Sequence, residues 1–130
     1  PATNNHKQKE VIMRVIVAGS RGFTNYEKVR RALDHLLQHQ LPLVTIISGG
    51  ARGADYLGEK YAHEKKLPLE VYPADWVRHG KSAGFRRNVH MVRSIKADGL
   101  VAFWDGQSRG TKHVIDEARK WGLEVRVYNI

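Results

Sequence analysis

The chain has no cysteine among its 130 residues. Disulfide bonds and thiolate metal sites are therefore excluded, and nothing indicates an oxidising compartment. No apolar segment approaches the roughly 20 residues needed to span a bilayer, so we expect no membrane partner and a cytoplasmic location. Residues 1–10 are polar and lack the apolar run of a signal peptide. We expect them to form a short disordered lead-in.

Negative charge is scarce. The 22 Lys and Arg residues outnumber the 13 Asp and Glu residues, which gives a formal net charge of +9. Such an excess favours anionic partners, either nucleotides or nucleic acid, although the same charges can simply solvate helix surfaces. The 42% hydrophobic content is enough for one core, so we expect residues 11–130 to form one domain.

Strand-like and helix-like segments alternate along the chain. Apolar, β-branched segments predict strands at residues 11–18, 43–47, 69–73, 100–104 and 123–128. Helical spacing of apolar residues predicts helices at 26–39, 54–65, 85–95 and 111–121, with a polar loop over 74–84. Strands that alternate with single helices pair in parallel through right-handed crossovers. The sequence therefore predicts an α/β fold: a single Rossmann-like domain with a mostly parallel open sheet of about five strands and helices on both faces.

Polar, glycine-rich turns follow the first, second and fourth predicted strands. Ligands of open parallel sheets bind beyond the carboxyl ends of the strands, so these turns are expected to line one site. The ligand-binding candidates are Gly19, Ser20, Arg21, Ser48, Gly49, Gly50, Arg52, Gly53, Asp55, Trp104, Ser108, Gly110 and Thr111, together with Arg87 and Asn88 from a predicted helix.

The turn over residues 48–53, Ser-Gly-Gly-Ala-Arg-Gly, carries the strongest signal. Glycines let a backbone approach an anion closely, and the first amides of the following helix are unpaired and partly positive. We expect this turn to hold a phosphate, with Arg52 adding a cationic fork and Asp55 capping the helix or contacting a ribose hydroxyl. The alternative is an ordinary strand-to-helix turn that needs glycine for its dihedral angles.

The other two turns carry weaker signals. The segment 19–22, Gly-Ser-Arg-Gly, fits neither the dinucleotide fingerprint nor the P-loop, and it either contacts the ligand or forms a tight turn. Ser108 and Thr111 offer a second phosphate or sugar contact, or else one of them is only a helix cap. Trp104 either stacks on a base or belongs to the core.

Two adjacent arginines lie near the start of the third predicted helix. Neighbouring helix positions point about 100° apart, so only one of them is expected to face the ligand, and we assign Arg87. His35 and His39 share a helical face, but no carboxylate or third ligand lies near them in the sequence. We therefore predict no metal site and no cofactor.

Taken together, these motifs resemble the SLOG superfamily, and within it the small YspA-type, YpsA-related proteins. The resemblance covers residues 13–128 and combines the Val-Ala-Gly-Ser-Arg turn, residues 48–55, the Ala-Gly-Phe-Arg-Arg-Asn helix start that leads to Met91, and residues 104–111. It implies a Rossmann-like domain that senses or processes a nucleotide or a nucleotide-derived, ADP-ribose-like ligand.

Residues 48–55 also resemble the Ser-Gly-x-Ala-Arg-Gly-Ile-Asp turn of DprA, a relative that binds single-stranded DNA. Ala54 replaces the isoleucine, and Tyr61-Ala62-His63 is similar to the Ala-His further along that helix. The resemblance implies an alternative function in binding single-stranded nucleic acid. Because DprA and LOG relatives self-associate, it also implies a homo-oligomer, most simply a dimer.

Gly110-Thr111 resembles the end of the Gly-Gly-x-Gly-Thr turn of LOG-type phosphoribohydrolases. These relatives cleave the base from a nucleoside monophosphate with an arginine and with a glutamate placed just after that turn. Here Lys112-His113-Val114 follows instead, and the nearest carboxylates, Asp116 and Glu117, come about one helical turn later. A displacement of roughly 5 Å takes a carboxylate away from the same ribose carbon, so the activity is not carried over.

An N-glycosidic phosphoribohydrolase nevertheless remains an alternative. In that hypothesis Arg87 positions the phosphate, and Asp75, Asp116 or Glu117 acts as the acid or stabilises an oxocarbenium-like state. Asp116 and Glu117 otherwise belong to a solvated helix face.

Overall fold

The computed structural model describes residues 11–130, and the predicted lead-in over residues 1–10 lies outside the described residues. Five strands form one sheet: β1 (Met13–Gly19), β2 (Val44–Ser48), β3 (Leu69–Val71), β4 (Gly99–Trp104) and β5 (Glu124–Asn129). Their order across the sheet is β3-β2-β1-β4-β5, and every neighbouring pair is parallel. The predicted Rossmann-like α/β fold is confirmed.

Helices connect the strands and cover both faces of the sheet. They are α1 (Tyr26–Leu37), α2 (Ala54–Lys65), α3 (Trp76–His79), α4 (Ala83–Val89) and α5 (Arg109–Lys120). A 3₁₀ turn, Gly80–Ser82, precedes α4, and a π-helical turn, His90–Ser94, follows it. Within residues 11–130 none of the helices combines the length and the apolar character that a bilayer span requires.

The side chains of β1 divide the core into two layers. Val15 and Val17 pack with α1 and α2 on one face, while Ile16 and Ala18 pack with α5 and the π-helical turn on the other. Successive side chains of a strand point to opposite faces, so a strand buried on both sides must be apolar at nearly every position. This explains the continuous apolar pattern of the first predicted strand.

The predicted loop over 74–84 is wrong in part, because α3 and the 3₁₀ turn lie within it. The Asp75 carboxylate accepts a hydrogen bond from the Arg78 backbone N–H at 3.0 Å and so caps a single helical turn. Gly80, at φ +58°, ends that turn. The helix predicted over 85–95 begins earlier, at Ala83, and changes to π-helical geometry after Val89.

Gly58 offers a direct test of how closely α2 lies on β1. A β-carbon at Gly58 would lie 2.7 Å from the Val17 Cβ and 2.8 Å from its Cγ1. We expect Gly58→Ala to lower the free energy of unfolding by about 1–3 kcal/mol, because overpacking outweighs the gain in helix propensity. Gly22→Ala is the control, since nothing lies within 4 Å of a β-carbon there. Equal urea-unfolding midpoints for the two variants would contradict this packing.

Candidate functional site

A cavity of about 480 Å³ opens at the carboxyl ends of β1 and β4. From β1 the chain builds the sheet outward through β2 and β3, and it then crosses to the other side of β1 to form β4 and β5. This reversal is the point where open α/β sheets bind ligands. We call this space the main cavity. The predicted residues that line it are Gly19, Ser20, Arg21, Asp55, Arg87, Asn88, Ser108, Gly110 and Thr111.

Ser20 ties together the turns that surround the main cavity. Its backbone N–H donates to the Phe103 carbonyl at 2.9 Å, and its own carbonyl accepts from the Ala54 N–H at 3.2 Å. Its hydroxyl accepts from the Asp105 N–H at 3.2 Å. One residue that is 5% exposed therefore connects the ends of β1 and β4 and the start of α2.

The glycine-rich turn after β2 packs against the turn after β1. Gly53 has φ +78°, and a β-carbon there would collide with the carbonyl oxygens of Ser20 and Arg21. Glycine is thus required by the close approach of two backbone segments as well as by its dihedral angles. Gly53 lines neither the main cavity nor the adjoining cavity described below.

Two backbone amides of the same turn are hydrogen-bonded to nearby side chains. Ser48 is fully buried, and its hydroxyl donates to Glu59 Oε2 at 2.6 Å while it accepts from the Gly50 N–H at 3.0 Å. The Ala51 N–H donates to Asp55 Oδ2 at 3.3 Å. Two amides in the segment expected to hold a phosphate are therefore already bonded within the protein.

The outer side of this turn faces a second space, which we call the side cavity, of about 530 Å³. Gly49, Gly50 and Arg52 line it, and Arg52 is exposed. The side cavity and the main cavity have four lining residues in common: Arg21, Ala51, Trp76 and Arg87. The two spaces are therefore adjacent compartments of one site.

Arg87, like Arg21, is a cation that lines both compartments. Its Nη1 donates to the Gly49 carbonyl, and its Nε donates to Asn88 Oδ1 at 2.9 Å. Burial lowers the pKa of Arg87, and the nearby Asp55 partly offsets that effect. A guanidinium nevertheless stays charged in proteins. The neighbouring Arg86 is exposed, lies outside both cavities and donates to Ser82 Oγ at 2.9 Å.

Asp55 is the buried carboxyl group of the main cavity, at 5% exposure. Burial raises the pKa of Asp55 to about 6, against the opposing effects of Arg87 and the Ala51 N–H. A β-carbon at Gly49 would lie 2.6 Å from Arg87 Nη1 and 2.8 Å from Asp55 Oδ2. The missing side chain at Gly49 leaves room for both of these groups beside the turn.

The start of α5 forms the wall opposite Asp55. The Ser108 hydroxyl accepts from the Thr111 N–H at 3.3 Å and so caps the helix. Asn88 is buried, and its side-chain amide donates to the Gly110 carbonyl at 3.2 Å. Asn88 therefore holds α4 against the first turn of α5.

Trp104 lines neither cavity. Its ring packs against the core layer that contains α5, and its indole N–H donates to the Ser108 carbonyl at 3.1 Å. Trp104 therefore packs against the core and contacts the start of α5.

Four charged or aromatic residues that line the main cavity were not among the predicted ligand contacts: Trp76, Lys81, Phe85 and Asp105. The Asp105 carboxylate accepts from the Gln107 and Ser108 N–H groups, each at 2.8 Å, and these bonds hold its pKa below the usual range. The position of Asp105 directly after a predicted strand is the sequence signal that indicates a place at the site. Trp76 and Lys81 come from the segment predicted as a loop, whose path the local sequence does not determine, and Phe85 is the first residue of the helix predicted over 85–95.

The carboxylates proposed for catalysis all lie outside the main cavity. Asp75 caps α3, Asp116 pairs with Lys112 at 2.7 Å on the surface of α5, and Glu117 lies 3.3 Å from Arg93. Among residues 11–130, no group of three or more metal-ligating side chains is arranged to hold an ion.

The chain is similar to known proteins in sequence. The model of the YspA, cpYpsA-related SLOG family matches residues 13–79. The "Gene 61 protein" of Mycobacterium phage D29 is 38% identical over 117 residues, which cover 86% of this chain and 93% of that protein. No solved structure matches the chain.

The raised pKa of Asp55 predicts a specific pH dependence of stability. Folded Asp55 keeps its proton up to about pH 6, whereas the unfolded residue loses it near 3.8. Its stabilising contribution is therefore complete below about pH 4 and is lost as the pH rises through 6. Relative to Asp55→Asn, the unsubstituted protein should lose about 3 kcal/mol of unfolding free energy between pH 4 and pH 7, because each pKa unit corresponds to about 1.4 kcal/mol.

Urea unfolding at several pH values measures this difference. Asp105→Asn is the matched control, since the lowered pKa of Asp105 gives the opposite sign: its contribution is present above the unfolded pKa and is lost as the pH falls. A stability difference between the unsubstituted protein and Asp55→Asn that stays constant with pH would contradict the burial of this carboxyl group.

Proposed function

The chain belongs to the YspA, cpYpsA-related SLOG family, and we propose that its main cavity binds a nucleotide or a nucleotide-derived, ADP-ribose-like ligand. Family membership suggests a nucleotide-related role in ligand binding or processing. The observation that carries the proposal is the half-buried Arg87 guanidinium, which lines a cavity at the switch point of the sheet.

Arg87 is suited to bind a phosphate. A guanidinium has five N–H groups, and in residues 11–130 only two atoms of Arg87, Nε and Nη1, donate hydrogen bonds within the protein. The remaining N–H groups are available to an anion in the cavity, where partial exclusion of water strengthens a charge-assisted bond. The exposed Arg21 and Lys81 add positive charge at the same cavity.

The opposite wall supplies further polar contacts. The first backbone N–H groups of α5, at Arg109 and Gly110, are at helix positions that have no intrahelical acceptor, and they favour a phosphate or a sugar oxygen. The carboxyl groups of Asp55 and Asp105 can accept hydrogen bonds from ribose hydroxyls. In this arrangement the phosphate lies near the cations and the sugar near the carboxyl groups.

We propose binding in preference to N-glycosidic hydrolysis. The hydrolase hypothesis requires a carboxylate at the ribose carbon, and Asp75, Asp116 and Glu117 all lie outside the main cavity. Asp116 and Glu117 are instead paired with basic side chains of their surroundings.

Adjacent arginines give a matched test of the proposal. We expect Arg87→Ala to weaken binding of a nucleoside monophosphate by about tenfold to a hundredfold, because a hydrogen bond to a charged group contributes roughly 1.5–3 kcal/mol. Arg86→Ala should leave the affinity unchanged. Calorimetric titration with nucleoside monophosphates, ADP-ribose and cyclic nucleotides measures both effects. Thermal unfolding of each variant shows that it is folded.

The proposal fails if none of these ligands binds to the unsubstituted protein and no nucleotide copurifies with it. It also fails if Arg86→Ala and Arg87→Ala weaken binding equally. Arg87→Lys serves as a second variant, because it keeps the charge and loses the planar fork, and an intermediate affinity is expected.

A second candidate function is the binding of single-stranded nucleic acid. It is favoured by exposed cations that line the two cavities, Arg21, Arg52 and Lys81, in a chain with a net charge of +9. Proteins that bind single-stranded nucleic acid combine positive charge along the nucleic-acid backbone with aromatic side chains on which bases stack.

The dependence of affinity on salt separates this candidate from the first. We expect the affinity for an oligonucleotide to fall steeply between low and physiological salt, with a logarithmic slope of about −0.7 for each phosphate contacted. Arg52→Ala should weaken binding far more than Lys120→Ala. The exposed Lys120 side chain lies at the last residue of α5, whereas the first turn of this helix borders the main cavity. An affinity that does not change with salt would remove this candidate.

A further inference from the structure

Trp76 has a position that its surroundings do not explain by packing alone. It is the first residue of α3, it is 49% exposed, and it lines both the main cavity and the side cavity. Its exposed ring surface is therefore accessible to a ligand in either cavity, and an indole offers a large flat apolar face for stacking.

The indole of Trp76 is held in place from two sides. The Asp75 carboxylate caps α3 and so fixes the backbone at its first turn. The ring lies on α4 at Gly84, where a β-carbon would come within 3.3 Å of Trp76 Cη2 and 3.7 Å of Cζ2. The absence of a side chain at Gly84 allows the ring to rest on the helix, so the ring is oriented before any ligand arrives.

The Arg21 guanidinium lies over the Trp76 ring, 5.9 Å from its centroid. This is near the outer limit of about 6 Å for a cation–π contact, so the contact is weak. A planar base between the two groups needs a gap of about 7 Å, which is two stacking distances of about 3.5 Å. Arg21 is exposed, so its side chain can move away from the ring to provide that gap.

Two other aromatic residues near the site are less suited to this role. Phe85 lines the main cavity, but one of its faces is already stacked on His113, with ring centroids 4.3 Å apart. Trp104 is outside both cavities, and its indole N–H is bonded to Ser108. Of these three aromatic residues, Trp76 is the one that lines both the main cavity and the side cavity.

We propose that Trp76 is the base-stacking residue of this site, and that a nucleobase of the ligand lies between the Trp76 indole and the Arg21 guanidinium. The inference rests on the proposed function and adds to it the two side chains that hold the base of the ligand. Unstacked bases are commonly bound between aromatic rings and arginine planes.

The test compares ligands with and without a base. Calorimetric titration is carried out with the common nucleoside 5′-monophosphates and with ribose 5-phosphate. We expect Trp76→Ala to weaken the best nucleotide about tenfold or more, in line with the stacking energy of one base, and to leave ribose 5-phosphate unchanged. Trp76→Phe should retain part of the nucleotide affinity, and Phe85→Ala should cost less than Trp76→Ala.

Intrinsic fluorescence gives a second readout. The nucleotide should quench the emission of the unsubstituted protein, and the quenching should be lost in Trp76→Phe. Trp104 and Trp121 remain in that variant, so its emission can still be measured. Ribose 5-phosphate should not quench in either protein. Thermal unfolding of each variant establishes that it is folded.

The outcomes separate this inference from the proposed function. If the unsubstituted protein binds no nucleoside monophosphate, ADP-ribose, cyclic nucleotide or ribose 5-phosphate, and no nucleotide copurifies with it, both proposals are overturned. If it binds nucleotides and Trp76→Ala has no effect on them, or weakens ribose 5-phosphate equally, only the stacking role is overturned.

Discussion

The hydrogen bonds of Ser20 are the interaction on which the arrangement of the site depends. Its N–H and hydroxyl hold the turn after β1 to the end of β4, while its carbonyl holds the start of α2. Gly53 completes this contact, because the absence of its side chain lets the two turns meet. The main cavity lies beside the three segments that Ser20 connects, and residues of α3 and α4 complete its lining.

This close packing creates the unusual electrostatics of the site. Asp55 and Arg87 are drawn together at Gly49, in surroundings dry enough to raise the pKa of Asp55 and lower that of Arg87. The pKa of each group shifts in the direction that burial dictates, so the charge of the other group does not fully offset the effect of burial. A ligand that brings an anion to Arg87 and hydroxyl groups to Asp55 would supply interactions that the protein leaves incomplete.

The sheet and the helices that cover it follow from the sequence, because apolar periodicity is a local property that tertiary contacts did not override. The end of the sheet that carries the site follows as well, from the glycine-rich turns. The roles of the individual residues do not follow from the sequence. Ser48 is bonded to Glu59 in the next helix, and Gly53 allows a backbone contact with a different turn. Trp76 belongs to the segment predicted largely as a loop, where one capped helical turn positions the ring.

The nucleotide site that we propose lies at the carboxyl ends of β1 and β4. It is tested most directly by mapping backbone amide chemical shifts in ¹⁵N-labelled protein as a nucleotide is added. The account predicts that the largest changes fall in residues 19–22, 49–55 and 105–111, which meet at that edge of the sheet. Changes concentrated at the amino ends of the strands, around residues 40–43 and 97–99, would contradict it.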